Sequence, residues 1–598
     1  MKNFFITLIA TLVGVTLSLL ILFGVAVGSV AVMIGGDDIS TLKVESNSVL
    51  EISMSELITD APLVSSLRDL VIGGGSTPSN LSLLSALLAI ERAESDPNIV
   101  AISLRMDGLG GVSLANASEL RTALLDFKKS SQKPIYAYAE SYTQGRYYLA
   151  TVADKIFIHP LGAIEWKGVG MSSLFYGDLA NKLEIEPEIF RPKSNTYKSA
   201  IEPYTRSDFS AESRSQNLRL ANSLWSSILR DVSLLHGATS ESLNEVAESI
   251  FIVSADQAEQ MRMVHYVSYL DEYTDALERV GVDVKDGKYN RIRLSKYSSL
   301  ATYERERISG SYSKNSIAVI YIDGTIVDGV TDSSESDVIG SINISNQLRE
   351  AREDDNIKGA VVRVNSPGGS AMAADVIWRE MVLLQEVKPL IVSMGSYAAS
   401  GGYYVSAPAD VILASDYTIT GSIGVYGLLF DAEKMLQNKL YITMDQVGST
   451  PNANFGNLPN GVTPLQRAAI NRGVDDIYRA FVSKVASGRN MTTEQIEAIA
   501  GGRVWSGVEA ERIGLVDEIG GIKHALMLAM QRSDITIGEA KIVEMGEEPD
   551  ELSMLLSIFS SHVQSIFDSE VVKGVSELKS ILTRQSGVNA YSPVRVEF

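Results

Sequence analysis

A serine sits among the smallest residues of the chain at Tyr397-Ala398-Ala399-Ser400-Gly401-Gly402-Tyr403-Tyr404, straight after a run, Pro389 to Met394, that reads as a buried strand. A hydroxyl on a sharp strand-to-helix turn needs such neighbours, because the backbone must bend tightly while the side chain faces a substrate. The pattern has the form of a nucleophile elbow, and the helix start that follows favours developing negative charge. A small-residue turn packing a helix closely on a sheet would use the same residues, so the pattern alone admits both. Upstream, Asn365-Ser366-Pro367-Gly368-Gly369 ends another strand. Backbone N–H groups on such a loop can hold an oxyanion, each donor typically contributing about 10²–10³ in rate. A glycine turn without chemistry is the plainer alternative.

A serine nucleophile needs a base. Only His159, His236, His265, His524 and His562 are present, none of them between Ser400 and His524, and His524 lies in what looks like a helix start. The other base known for serine is a neutral lysine. Composition distinguishes no single lysine, since most face solvent. Cysteine is absent, which excludes disulfides, thiolate nucleophiles and cysteine-ligated metal centres. No metal or cofactor is expected. The 73 acidic residues against 52 basic ones give a net charge of −21, so a nucleic-acid partner is not expected either.

The elements that must position these groups are written twice. Asn98-Ile99-Val100-Ala101-Ile102 is echoed from Asn356-Ile357-Lys358-Gly359-Ala360, and each copy then has an apolar strand ending at paired glycines, Gly110-Gly111 and Gly368-Gly369. Lys133-Pro134 and Lys388-Pro389 close the helical stretches that follow. Tyr147, Tyr148, Ala153, Asp154 and Ile156 then match Tyr403, Tyr404, Ala409, Asp410 and Ile412 at constant offset, and Asn181-Lys182-Leu183 returns as Asn438-Lys439-Leu440. An ordered series of this kind signals duplication. Short β-branched runs alternating with helical stretches imply α/β units with mostly parallel, buried strands. At the position matching Ser400 the first copy has Gln144, so it keeps the shape without the nucleophile.

We therefore expect an N-terminal anchor over residues 1–36, a first domain over 45–290, a linker over 291–314, a second domain over 315–545 and a tail over 546–598. Asn3 to Gly36 contains no charged side chain, long enough for a membrane span. A long signal peptide cut after Ser29-Val30-Ala31 is the alternative. Lys2 on one flank and Asp37-Asp38 on the other favour a body outside the cytoplasm. In the tail, Met554, Leu555, Ile558, Phe559, Val563, Ile566 and Phe567 recur at helical spacing, as in an amphipathic helix.

The blocks Tyr397 to Tyr404, Asn365 to Ser370, Thr420-Gly421-Ser422-Ile423-Gly424, Gly502-Arg503-Val504-Trp505-Ser506-Gly507 and Gly514-Leu515-Val516-Asp517 resemble the signal peptide peptidase A (protease IV) family of membrane-bound bacterial serine peptidases. Tyr197-Lys198-Ser199-Ala200 is similar to the lysine motif of that family's long, duplicated form. The resemblance implies tandem Clp protease/crotonase-like domains behind one transmembrane helix. It implies Ser400 as nucleophile, Lys198 as general base and Ser422 as the hydroxyl that holds the lysine amine, with Gly368 and Gly369 as the oxyanion loop. Gln446 to Asp475, where Lys198 would map in the second copy, contains no lysine. The implied activity is hydrolysis of signal peptides left in the bacterial inner membrane. The catalytic part would be extracytoplasmic, and the assembly a homotetramer. A non-catalytic membrane scaffold or a crotonase-like acyl-CoA enzyme are the competing readings. A base must be neutral to accept a proton, so Lys198 should be buried without a carboxylate partner, and nearby Glu202 should point away from it.

Overall fold

A computed structural model describes residues 43–62, 80–300, 315–331, 337–456, 461–536, 540–546, 587–591 and 596–597. The expected anchor and the apolar stripe of the tail lie outside these residues. Among the described residues no helix is long and apolar enough to cross a membrane.

Two parallel sheets carry the architecture, and their strand orders coincide. The first runs Tyr266–Val267, Lys155–Ile158, Ile135–Ala139, Ile99–Arg105, Ser48–Ser53, Arg291–Arg293. The second repeats that order as Glu518–Ile519, Val411–Ala414, Leu390–Ala399, Ile357–Ser366, Ser316–Asp323, Lys541–Glu544. The duplication read from sequence is thus also a duplication of topology. Strands such as Ile317-Ala318-Val319-Ile320 are buried throughout, as parallel strands covered on both faces must be. Arg291–Arg293, assigned above to the linker, is an edge strand of the first sheet, and Leu294, Tyr297 and Leu300 behind it are buried. Ladder pairing and apolar burial draw this segment into the first half.

The strand that leads into Ser400 forks. Its first part, Ile391 to Met394, pairs with Val411–Ala414, while Tyr397 to Ala399 pairs with Ile419–Gly421. The fork brings Ser400 and Ser422, which end adjacent strands, side by side. A third sheet joins the halves. In it Glu186–Phe190 of the first copy pairs antiparallel with Tyr426–Asp431 of the second.

The halves share one apolar cluster that runs from Leu50, Leu104 and Leu124 through Val319, Val361, Ile391 and Leu526. Inside the joint lies a buried polar network. The Arg363 guanidinium of the second half donates to Asp60 Oδ1 (2.8 Å), Asn116 Oδ1 (3.0 Å) and Ser393 Oγ (2.8 Å), and lies 2.7 Å from Glu119. Asp60, Asn116 and Glu119 all come from the first half. Glu119 also accepts from the Ile522 N–H at 2.7 Å. Burial works against the Arg363 charge, but Glu119 and Asp60 outweigh it and hold its pKa above the ordinary value. Burial raises the Glu119 pKa, with Arg363 opposing.

Candidate active site

Ser400 stands between the end of its strand and the short helix Gly401–Ser406, at φ +57° and ψ −113°. Ser422 also has positive φ, +51°. Backbone held in such regions costs about 1–3 kcal/mol per residue and persists where surrounding structure enforces it. Here the enforcement is visible. The Ser400 N–H donates to the Gly421 carbonyl (2.8 Å), and the Ser422 N–H donates to that of Arg503 (2.7 Å). Gly402 approaches Ser366 so closely that a Cβ would lie 2.5 Å from its carbonyl oxygen.

Lys198 arrives from the other half. Its Nζ lies 2.6 Å from Ser400 Oγ, 3.0 Å from Ser422 Oγ and 3.0 Å from the Ser422 carbonyl oxygen. The Ser422 hydroxyl donates in turn to the Gly502 carbonyl at 3.4 Å, which leaves its oxygen free to accept from the amine. A neutral amine has two N–H donors and one lone pair. Two donors meet the two Ser422 oxygens, and the lone pair is left for the Ser400 O–H. All three sequence-derived residues therefore converge, although 202 positions separate lysine from serine.

Lys198, Ser400 and Ser422 are 1%, 0% and 2% exposed. Burial, with no charged neighbour contributing, holds the Lys198 pKa well below the ordinary 10.5. Glu202 faces elsewhere, as expected. Its carboxylate accepts from the Ser210 hydroxyl (2.5 Å) and N–H (3.1 Å). The lysine thus has the reach a base needs, and its burial favours the neutral form. No hydrogen bond joins a described histidine to Ser400.

Several residues that sequence patterns did not single out hold the lysine loop. The Lys198 carbonyl accepts from Arg191 (3.1 Å), and the Tyr197 N–H donates to Gly501 O (3.0 Å). Gln216 Nε2 donates to Tyr197 O (3.0 Å), and Asn195 Nδ2 to Val425 O (3.1 Å). Gly502 presses against the loop at φ +83°, and a Cβ there would lie 2.5 Å from Lys198 Cβ and 2.6 Å from its Cα. Gly502 belongs to a motif quoted above, but nothing local in that motif points to a partner 304 positions upstream. We expect Gly502→Ala to push the loop back and lower kcat by about 10²-fold, the scale of a 1 Å misplacement. Steady-state kinetics beside a melting curve check this, since a purely structural effect would lower the melting temperature without that loss of kcat.

The paired glycines form a short strand, Gly368–Ser370, in which Gly369 is opposite Ile326. A Cβ on Gly369 would meet the Ile326 carbonyl oxygen at 1.9 Å. The Gly368 N–H donates to Ser366 Oγ (3.2 Å), so one of the two expected oxyanion donors has a partner within the chain. In the first copy the equivalent of the serine site is filled. Gln144 is buried, its Oε1 accepts from the N–H groups of Lys167 and Gly168 (both 2.9 Å), and its Nε2 donates to Gly168 O (3.0 Å). No group of at least three His, Cys, Asp or Glu that could hold a metal occurs among the described residues.

Known proteins resemble the chain along most of its length. The profile of peptidase family S49 matches residues 127–285 and 382–536, one stretch in each half. Protease 4 of Haemophilus influenzae (strain ATCC 51907 / DSM 11121 / KW20 / Rd) is 33% identical over 506 residues, spanning 82% of this chain and 79% of the relative. Protease 4 of Salmonella typhi is 32% identical over 499 residues, spanning 82% and 78%. Serine protease SPPA, chloroplastic, of Arabidopsis thaliana is 30% identical over 518 residues, spanning 86% and 74%. Coverage above two thirds on both sides means that the likeness includes both halves and the seam between them.

Proposed function

The chain belongs to peptidase family S49 and is a serine-type endopeptidase, and we propose that it cuts peptides with a dyad of Ser400 and Lys198 shared between its two halves. The 2.6 Å approach of a buried, carboxylate-free amine to the Ser400 hydroxyl carries this reading. Lys198 accepts the Ser400 proton as Oγ attacks the scissile carbonyl carbon. Ser422 keeps the amine aimed. Backbone N–H groups of the Gly368-Gly369 loop hold the oxyanion, with Gly368 exchanging its Ser366 partner for it. The Lys198 ammonium then returns the proton to the leaving amine, and an acyl-enzyme remains on Ser400. A water that loses a proton to Lys198 attacks the ester, and the proton goes back to Ser400 as the acid departs.

We place the enzyme in the bacterial inner membrane, anchored by residues 1–36 with the catalytic halves outside the cytoplasm. There it would degrade hydrophobic peptides of the signal-peptide class and assemble as a homotetramer. The charge-free run from Asn3 to Gly36 and the family resemblance support this placement.

A fluorophosphonate probe tests the dyad without a substrate. Labelling should fall on Ser400, disappear in Ser400→Ala and slow strongly in Lys198→Ala. Equal labelling in Ser400→Ala would end the assignment. Cleavage of a synthetic signal peptide in vesicles, against an equally long polar peptide, tests the substrate class, and native mass measurement in detergent tests the tetramer.

A further inference from the structure

The strand leading into Ser400 carries a bulge just before the elbow. Between Ile357–Ser366 and Leu390–Ala399, Val364 is opposite Met394, but the next paired residues are Ser366 and Ala398. One residue, Asn365, therefore stands against three, Gly395, Ser396 and Tyr397. The fork opens at the same place, since Met394 pairs with Ala414 before the bulge and Tyr397 with Ile419 after it. Bulges interrupt a ladder and re-aim the side chains that follow, and they recur beside active sites.

The Asn365 side chain spans the interruption. Its Oδ1 accepts from the Tyr397 N–H (3.1 Å), and its Nδ2 donates to Oδ1 of Asp323 (2.9 Å), the residue opposite it on the other neighbouring strand. Gly395 is packed against it, and a Cβ there would lie 3.0 Å from Asn365 Cβ and 2.7 Å from Asp60 Oδ1. Asn365 lies three residues before Gly368, and Tyr397 three before Ser400. One amide thus ties the segment carrying the glycine loop to the segment carrying the hydroxyl. The first copy keeps half of this device. Asp107, three residues before Gly110, accepts from the Glu140 N–H (2.7 Å), but its second oxygen faces the Arg105 guanidinium at 3.3 Å. The acceptor is common to both halves, whereas the donor toward a carboxylate occurs in the half that has the serine.

We propose that Asn365 is a positioning residue of the peptidase, whose amide holds the glycine loop and the Ser400 elbow in register by donating to Asp323 while accepting from Tyr397. This goes beyond the dyad and rests on it. An ionised aspartate could accept but not donate. Burial, and then Asp60, push the Asp323 carboxyl up to about 6, while Asn365, the Ala61 N–H and Arg363 oppose the rise. An aspartate at 365 would turn one of those opposing contacts into a like charge, so the pair would take up a shared proton at higher pH.

For a hydrophobic peptide at about pH 8, Asn365→Asp should lower kcat about 10²-fold, the scale of a 1 Å misplacement, with KM within about twofold. Its kcat relative to wild type should climb about tenfold towards about pH 6, as a shared proton restores the missing bond. Exchanging the two side chains, Asp323→Asn/Asn365→Asp, supplies donor and acceptor again with the polarity reversed. That variant should return to within about threefold of wild type, with a ratio that does not move with pH. Asn365→Ala loses both bonds and should stay about 10²-fold down throughout, so the exchange can be read against it should Asn365→Asp not fold. An exchange variant no more active than Asn365→Ala, or an Asn365→Asp ratio flat with pH, would show that Asn365 acts by packing alone. Either result would overturn the proposal and leave the dyad standing. Turnover that survives Ser400→Ala would overturn the dyad, whatever the exchange does.

Discussion

Lys198→Met should lower kcat/KM for peptide hydrolysis by about 10²–10⁴-fold, the usual contribution of a positioned general base, while making the protein more stable at neutral pH. The two effects have one cause. In the folded chain the amine is buried among neutral groups and its pKa lies well below 10.5, whereas in the unfolded chain it titrates near 10.4. Between those values the unfolded state binds the extra proton. Stability therefore rises with pH through that window, at about 1.4 kcal/mol per unit for this one group. Methionine fills similar volume and removes the ionisable amine, so the gain over wild type should be present at pH 7 and shrink to nothing as pH approaches about 10.4. Melting curves from pH 7 to 10 and peptide kinetics on the same samples check both halves of the expectation. Wild-type activity should rise with pH through the folded pKa of Lys198. A variant that keeps near-wild-type turnover would refute the role of the amine.

Arg363→Met should cost about 3–5 kcal/mol, the scale for removing one partner of a buried charge pair, and lower the apparent melting temperature by on the order of 10 °C. The large effect comes from what is left behind. Asp60 and Glu119, 4% and 7% exposed at their side chains, would be left buried in the joint without a counter-charge. The deficit should shrink as pH falls, because protonated carboxyls need no cation. It should also shrink in Arg363→Met/Asp60→Asn/Glu119→Gln, which leaves no charge unpaired. A triple variant no more stable than the single one would show that packing, not charge, is what Arg363 supplies. Turnover should fall in parallel, since this network lies in the joint that keeps lysine and serine in register.

The serine was legible because its requirement is local. A bend sharp enough to put Ser400 at φ +57° demands Ala398, Ala399, Gly401 and Gly402 beside it, and those residues are adjacent in sequence. The duplication was legible for a similar reason, since strand order repeats when residue order does. Lys198 is the opposite case. What suits it to act as a base is burial against Ser422 and Gly502, more than two hundred positions away, and family resemblance, not pattern, pointed to it. Arg363, Asp60 and Glu119 were missed because an isolated charged residue reads as solvent-facing, and only the docked halves reveal the pairing. The terminal strand was invisible on the same grounds. Five residues of mixed character, Gly587 to Tyr591, carry no periodicity, and their place comes from two sheet edges that lie far off in sequence.

Placing the amine and the hydroxyl in different halves also sets a timetable for biogenesis. The ribosome reaches the lysine 202 residues before it reaches the hydroxyl, which at about 5–20 residues per second is an interval of about 10–40 s. Throughout that interval the nascent polypeptide lacks Ser400, and the matching position of its own copy is Gln144, tied to Lys167 and Gly168 in the complete fold. The proposed dyad is complete only when the later half docks, so a translation product that stops short of Ser400 should carry no hydrolytic activity.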